Sequence, residues 1–514
     1  MHMSWIPAST VTAYSLCAVM FLFGCALRLR SGSWSNPSVV FALFWGMMTL
    51  MPVLFVPDIK PSVYAIGYVT VAVIAFGMSA FFLDWRAPLV AAAARRESAA
   101  SSPFMSGNEA PLLLLLAQVA GLITMMANVA YQGFSVRDFV FDPFAIGCEY
   151  LGYRYSGSVK PFVLMQLATI LNYVAAAFAG LIVSHRRNYV FSAGVVLLCM
   201  LPSLYSIAVY ADKGTIFLSL AFFYGAVVVG RIRSGCTALV TWRSIVSAPL
   251  ILVIVAGVIG LAMANRMSEV CSERQTSNLT EKLVSAVTEP DESGDIDAPG
   301  QARGLNFYIR SYAFGHLFAF SSWFEHRLAD GERLPVDLRT DPVFKPHWNT
   351  PEATVLYRNP EDPTFGFWTF MAIGKYLDSS YFKSLGDGYY EEYFRVPGVL
   401  QTNIYTFFRG AITDFTIAGS FIFFFISGLL LNVVYRRMLN RQFSPISQSA
   451  YILYAGYLYT SYIISLFIWN SALAAAFGIF VMLVVIDFID RNGGSLWGVL
   501  SLRSNRIGGT GEAK

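Results

Sequence analysis

Residues 306–324 read NFYIRSYAFGHLFAFSSWF, and whether this stretch crosses a membrane decides the fold. It is almost as apolar as a membrane span, yet it carries Arg310 and His316. On either side lie apolar stretches of the roughly 20 residues needed to cross a bilayer core. About eleven can be drawn, at 10–28, 37–56, 63–83, 110–130, 162–184, 189–209, 213–230, 246–265, 413–435, 449–468 and 471–489. Basic residues gather at every second junction between them: Arg28 and Arg30; Arg86, Arg95 and Arg96; Arg186 and Arg187; Arg231, Arg233 and Arg243; Arg436, Arg437 and Arg441; Arg491, Arg503, Arg506 and Lys514. Those junctions are cytoplasmic under the positive-inside rule. A crossing at 306–324 would invert every later basic cluster. The pattern therefore predicts a helix lying in the interface, or a re-entrant segment.

Of 36 Lys and Arg, 17 lie at these junctions, five on short connections of the other side (Lys60, Arg137, Arg154, Lys160, Lys213) and 14 in one long connection, 266–412. Long loops are exempt from the rule, so 17 against five is the comparison that orients the chain. It predicts an outside N-terminus and a cytoplasmic C-terminus. With 56% hydrophobic and 13% charged residues, the chain is far from the roughly 25% charged composition of soluble domains. The first span has neither a basic leader nor a small-residue cleavage site, which predicts a retained helix. The six cysteines lack metal or redox spacing, although Cys148 and Cys271 both fall on the outer side, where a disulfide persists.

The predicted fold class is an all-α polytopic membrane protein with one large, partly helical outer loop. Its blocks are 1–265 with about eight helices, the loop 266–412, a second membrane block 413–489 with about three helices, and a cytoplasmic tail 490–514. No internal repeat is visible, which counts against inverted-repeat transporters. Within the loop, 289–300 is acidic and punctuated by Gly and Pro, as linkers are. Residues 328–365 read as coil. Loops of this length are usually functional.

Candidate chemistry clusters on the outer side. Asp212 precedes an apolar span as an N-cap would, and Lys213 beside it can meet a lipid phosphate or merely snorkel. Arg266 ends the preceding span on the same side, as a bidentate phosphate donor or an interfacial anchor. Arg310 sits among Phe307, Tyr308, Ile309, Tyr312 and Phe314, where a charge needs a phosphate or carboxylate partner. His316, on another face of the same helix, is a candidate general base or a satisfied structural histidine. Asp414 is a candidate base or the N-cap of the ninth span, with Arg409 on the outer surface before it. Tyr376, Tyr381, Tyr389, Tyr390 and Tyr393, set among acidic residues, suit a sugar groove or ordinary packing. The chain has no Walker loop, dinucleotide fingerprint, H-E-x-x-H or G-x-S-x-G. Nothing in it calls for a metal or other cofactor.

Four stretches carry a resemblance: Trp34-Ser35-Asn36-Pro37; Asp212-Lys213-Gly214; Phe365-Gly366-Phe367 with Gly374-Lys375-Tyr376-Leu377; and Asn403-Ile404-Tyr405-Thr406 leading to Asp414-Phe415-Thr416-Ile417-Ala418-Gly419 and Gly428. In these the chain resembles the oligosaccharide repeat unit polymerases, the Wzy-type O-antigen polymerases of bacterial inner membranes. It departs in having Thr416 where such proteins often have Gly, and Lys213 where they often have Arg.

The resemblance implies a C-type glycosyltransferase fold and transfer of a glycan from undecaprenyl pyrophosphate to a second lipid-linked repeat unit. It implies Lys213, Arg266, Arg310 and Arg409 on the pyrophosphate, His316 or Asp414 as base, and Tyr405, Tyr389 and Tyr390 on the glycan. The implied partners are the lipid-linked oligosaccharide, the bilayer, a chain-length regulator and a flippase, with no nucleic acid. An O-antigen ligase shares this topology and donor. A flippase or other transporter is the reading from a different class, and it expects short loops and charged residues in mid-span.

Overall fold

The computed structural model describes residues 8–94, 102–155, 158–160, 162–186, 188–210, 212, 214–234, 257, 305–329, 344–346, 363–377, 392–396, 399–440, 444–492 and 495. Its long helices are α1 (Ala8–Ser31), α2 (Pro37–Phe55), α3 (Val63–Met78), α4 (Glu109–Gln132), α5 (Val163–His185), α6 (Tyr189–Tyr210) and α7 (Gly214–Arg233). They continue with α8 (Leu305–Ala329), α9 (Phe407–Leu439), α10 (Pro445–Ser461) and α11 (Asn470–Arg491). Among the described residues, nine helices are long and apolar enough to cross a membrane, all of these except α8 and α10. The chain is a multi-pass membrane protein.

Two of the eleven predicted spans are not among these nine helices. Span 246–265 lies outside the described residues, apart from Gly257. Span 449–468 is interrupted. There α10 stops at Ser461, the Thr460 carbonyl accepts from the Ile463 and Ile464 N–H groups at 2.8 and 2.6 Å, and a 3₁₀ turn follows at Leu466–Ile468. Ser465 caps that turn and donates to the Thr369 carbonyl at 2.7 Å. Hydropathy continues through the break, which is why the pattern reads as one span.

A second departure is a small antiparallel sheet: β1 (Phe344–Pro346), β2 (Glu392–Val396) and β3 (Leu400–Thr402), in that spatial order. Phe394 pairs with Phe344 on one side and Thr402 on the other. The reading of 328–365 as coil misses its first strand. Leu400 and Thr402 alternate with period two and are both buried, and both approach Gly315 of α8. Three residues are too short a run to reveal that alternation.

Packing divides the chain into two units, each drawn from distant segments. One comprises Met1–Leu83, Met267–Asn432 and Tyr457–Asn470; the other comprises Asp84–Arg266, Val433–Gly456 and Ser471–Lys514. The first unit is pinned by a buried amide network. Asn36 caps α2 by accepting from the Ser38 and Val39 N–H groups, with Pro37 at the first helical position, where the missing N–H costs nothing. Its Nδ2 donates to Asn432 Oδ1 at 3.0 Å, and Asn432 Nδ2 donates to Ser38 Oγ at 2.7 Å and Ser79 Oγ at 2.8 Å. One turn earlier, Gly428 lets α9 meet α3 so closely that a Cβ would stand 2.0 Å from the Phe76 carbonyl oxygen.

The second unit uses the same devices. Gly180 brings α5 against the Phe223 carbonyl of α7, and Gly225 brings α7 against Ile452 and Ala455 of α10. Small residues of this kind let membrane helices approach closely and gain dispersion. Asn172 donates to Ser203 and Ser219, and Arg233 bonds Asp487 at 2.9 Å and Gln448 at 3.2 Å.

Candidate functional site

In the first unit, α8, β3 and the start of α9 meet around the segment Thr402–Arg409. Thr402 Oγ1 accepts from the Ile404 N–H at 3.1 Å and lies 3.1 Å from His316 Nδ1, which is also 3.2 Å from the Ile404 carbonyl. A carbonyl only accepts, so the proton sits on Nδ1 and Nε2 is the basic nitrogen. Burial pushes the imidazole from its ordinary 6.5 down to about 4, against a partial opposing effect of the Ile404 carbonyl. The Tyr462 ring packs edge-on against it at 5.5 Å, and the Tyr462 hydroxyl donates to the Ala313 carbonyl. His316 thus holds β3 and the following turn onto α8, and at neutral pH it is an uncharged, weak base.

Arg409 is the buried cation of this region, at 1% exposure. Its Cζ lies 4.2 Å from the Tyr405 ring centroid and 5.4 Å from that of Trp323 on α8. Both rings are buried as well. Next to it, Phe408 packs against Trp45, Tyr68, Phe320 and Phe424. A guanidinium stacks on aromatic faces while its N–H groups point outward in its own plane, so stacking remains compatible with anion binding. In this low-dielectric setting a charge interacts more strongly than it would in water.

Asp414 makes contacts within the fold that its place in the sequence does not suggest. It lies about two turns inside α9, which starts at Phe407, and so is not the N-cap of that helix. Its Oδ1 accepts from Thr364 Oγ1 at 2.5 Å and the Trp368 N–H at 3.0 Å, and Oδ2 accepts from the Thr369 N–H at 2.7 Å. The Asp414 carbonyl takes the Phe365 N–H at 3.0 Å. This buried carboxylate fastens the Thr364–Thr369 turn onto α9, and both of its oxygens are engaged.

Two residues beyond it, Thr416 breaks the helix at φ 64°, ψ 175°. Its Oγ1 accepts from the Gly419 N–H at 3.3 Å, so it acts as N-cap of the second stretch. Phe365, bonded to Asp414, is also left-handed, at φ 47°.

Arg310 has the carboxylate partner its apolar neighbours demand. Its Nη1 lies 3.3 Å from Asp58 Oδ2, with the side chains 27% and 59% exposed. It is 13 residues before Trp323, or about 20 Å along the axis of α8, and does not share a site with Arg409.

Asp212 accepts from the Gly214 N–H at 3.0 Å and from the Thr215 hydroxyl, holding the first turn of α7 as expected. Lys213, Arg266, Tyr389 and Tyr390 lie outside the described residues, as does Cys271.

No family model, curated protein or solved structure matches this chain. The site is therefore read from its own geometry. Of the predicted residues, the structure brings Tyr405 and Arg409 together and sets His316 and Asp414 nearby as fasteners. Trp323 is the residue that the sequence reading misses. It lies seven residues after His316, two helical turns along the same face, and that spacing is the signal that would have found it.

Proposed function

We propose that this protein is a membrane glycosyltransferase that polymerises undecaprenyl-pyrophosphate-linked oligosaccharide repeat units into a surface polysaccharide at the outer face of a bacterial inner membrane. The observation that carries the reading is Arg409, a buried guanidinium on two aromatic faces, within the stretch where the resemblance to such polymerases is strongest. In the reaction, an acceptor hydroxyl oxygen attacks the anomeric carbon of the donor glycan. The bond from that carbon to the pyrophosphate oxygen breaks, a glycosidic bond forms, the hydroxyl proton passes to a base, and undecaprenyl pyrophosphate leaves. A preorganised guanidinium stabilises the charge that develops on the departing phosphate oxygen. Tyr405 holds that guanidinium from the segment that leads into α9. In this reading His316 and Asp414 position the Thr402–Thr416 segment, because one is a weak base and the other a fully engaged carboxylate.

The test is deletion of the gene in its host, complemented by the wild type, Arg409→Lys or Arg409→Ala, with the surface polysaccharide resolved on a gel. A polymerase leaves single repeat units on the lipid when lost. Arg409→Lys keeps the charge but loses the bidentate fork, and should shorten the ladder while membrane levels hold. Loss of every unit, including the first, would indicate a ligase; an unchanged ladder would overturn the proposal.

A further inference from the structure

We infer that Trp323 is a positioning residue for anion binding by Arg409. The inference rests on the phosphate-binding reading of Arg409 and adds a residue that neither charge nor motif singles out. Trp323 lies on the face of α8 that carries His316 and Phe320, is 2% exposed, and has the Arg409 Cζ 5.4 Å from its ring centroid. Tyr405 covers the same guanidinium at 4.2 Å, from the chain segment that leads into α9. The guanidinium therefore meets one ring from α8 and one from the α9 side. The Tyr405 side is local, four residues away in the chain. The α8 side is remote, and its placement depends on the fastening of β3 and Ile404 to α8 through His316.

Trp323 has two physical effects on the cation. Its ring quadrupole attracts the guanidinium, more so with water excluded, and it restricts the plane in which the N–H fork points. The second effect bears on a phosphate ligand, since a bidentate fork works only when its plane is set before the anion arrives. A leucine at 323 would fill most of the space but offer no π face. A phenylalanine would keep a weaker one.

The experiment uses the full chain in lipid nanodiscs, with undecaprenyl pyrophosphate as the probe and binding read by native mass spectrometry. The wild type, Trp323→Phe, Trp323→Leu and Arg409→Ala are compared, each with its thermal midpoint. The wild type should bind and Arg409→Ala should not. Trp323→Leu should weaken binding by about 10-fold and Trp323→Phe by a smaller factor, with the Leu and Phe midpoints alike. In a turnover assay Trp323→Leu should raise KM for the lipid donor, and Trp323→Phe should restore most of the loss.

Equal binding by Trp323→Leu and Trp323→Phe would overturn the inference and leave the role of Arg409 standing. So would a loss that merely tracks a lower midpoint. Failure of the wild type to bind the probe, or undiminished binding by Arg409→Ala, would overturn the functional reading and this inference with it.

Discussion

Replacing Thr416 by Gly should stabilise the protein, and replacing it by Ala should destabilise it. At φ 64°, ψ 175° the Thr416 backbone occupies a region that is essentially glycine's alone, at a cost of roughly 1–3 kcal/mol for any other residue. Against that, Thr416 Oγ1 caps the second stretch of α9 through the Gly419 N–H at 3.3 Å. Losing such a cap costs about 1 kcal/mol in an Ala variant but only a few tenths in a Gly variant. The greater freedom of Gly in the unfolded chain subtracts about 0.5–1 kcal/mol more. Thr416→Gly thus gains about 1 kcal/mol net. Thr416→Ala keeps the strained backbone, loses the cap and falls by about 1 kcal/mol.

The opposite signs are the test, because a general sensitivity of the site would move both variants the same way. Unfolding midpoints in mixed micelles, measured for the three proteins side by side, read the difference directly. An Ala variant as stable as the Gly variant would refute the assignment of strain to φ. A Gly variant less stable than the wild type would show that the cap outweighs it.

Lowering the pH should destabilise the fold through His316. Its folded-state value of about 4 lies below the ordinary 6.5, so the unfolded chain takes the proton first. Stability is then lost as pH falls from about 6.5 to 4, by roughly 3 kcal/mol in all; a His316→Gln variant whose pH profile matches that of the wild type would remove His316 as the cause. Gly428→Ala should lower stability severely, since the new methyl would stand 2.0 Å from the Phe76 carbonyl oxygen and α9 would have to move off α3. A wild-type melting profile for Gly428→Ala would count against that packing. Asp58→Asn should change stability by less than about 1 kcal/mol, because the pair with Arg310 is open to solvent, and a large shift in its unfolding midpoint would mean that the pair is worth more than its exposure indicates.

Much of the membrane architecture is legible in composition alone, because apolar runs of bilayer length are a local property. The helix at 305–329 and the need of Arg310 for a partner are readable for the same reason, since a cation among aromatics announces its own cost. The role of Asp414 is not readable this way. An acid before an apolar run looks like an N-cap, but seven residues, Phe407 to Thr413, join the helix ahead of it, where Phe407 and Phe408 pack against Trp45 and Phe408 also against Tyr68 and Phe320. The pairing of β1 with β2, the end of α10 and the contact between Trp323 and Arg409 likewise depend on partners 46 to 96 positions apart in the chain, which no local pattern encodes. The departure at Thr416 was visible as an odd residue; only the backbone angle says what it costs.

The amide clamp of the first unit has a consequence for how the chain is made. Asn36 and Asn432 are 396 residues apart. At synthesis rates of about 5–20 residues per second, their partnership waits roughly 20–80 s after Asn36 leaves the ribosome. During that interval the first three helices sit in the membrane with the Asn36 amide and the Ser38 and Ser79 hydroxyls deprived of Asn432. The N-terminal helices are therefore an unfinished surface until the ninth helix inserts, and a chain truncated before Asn432 should be a substrate for membrane proteolysis rather than a stable fragment.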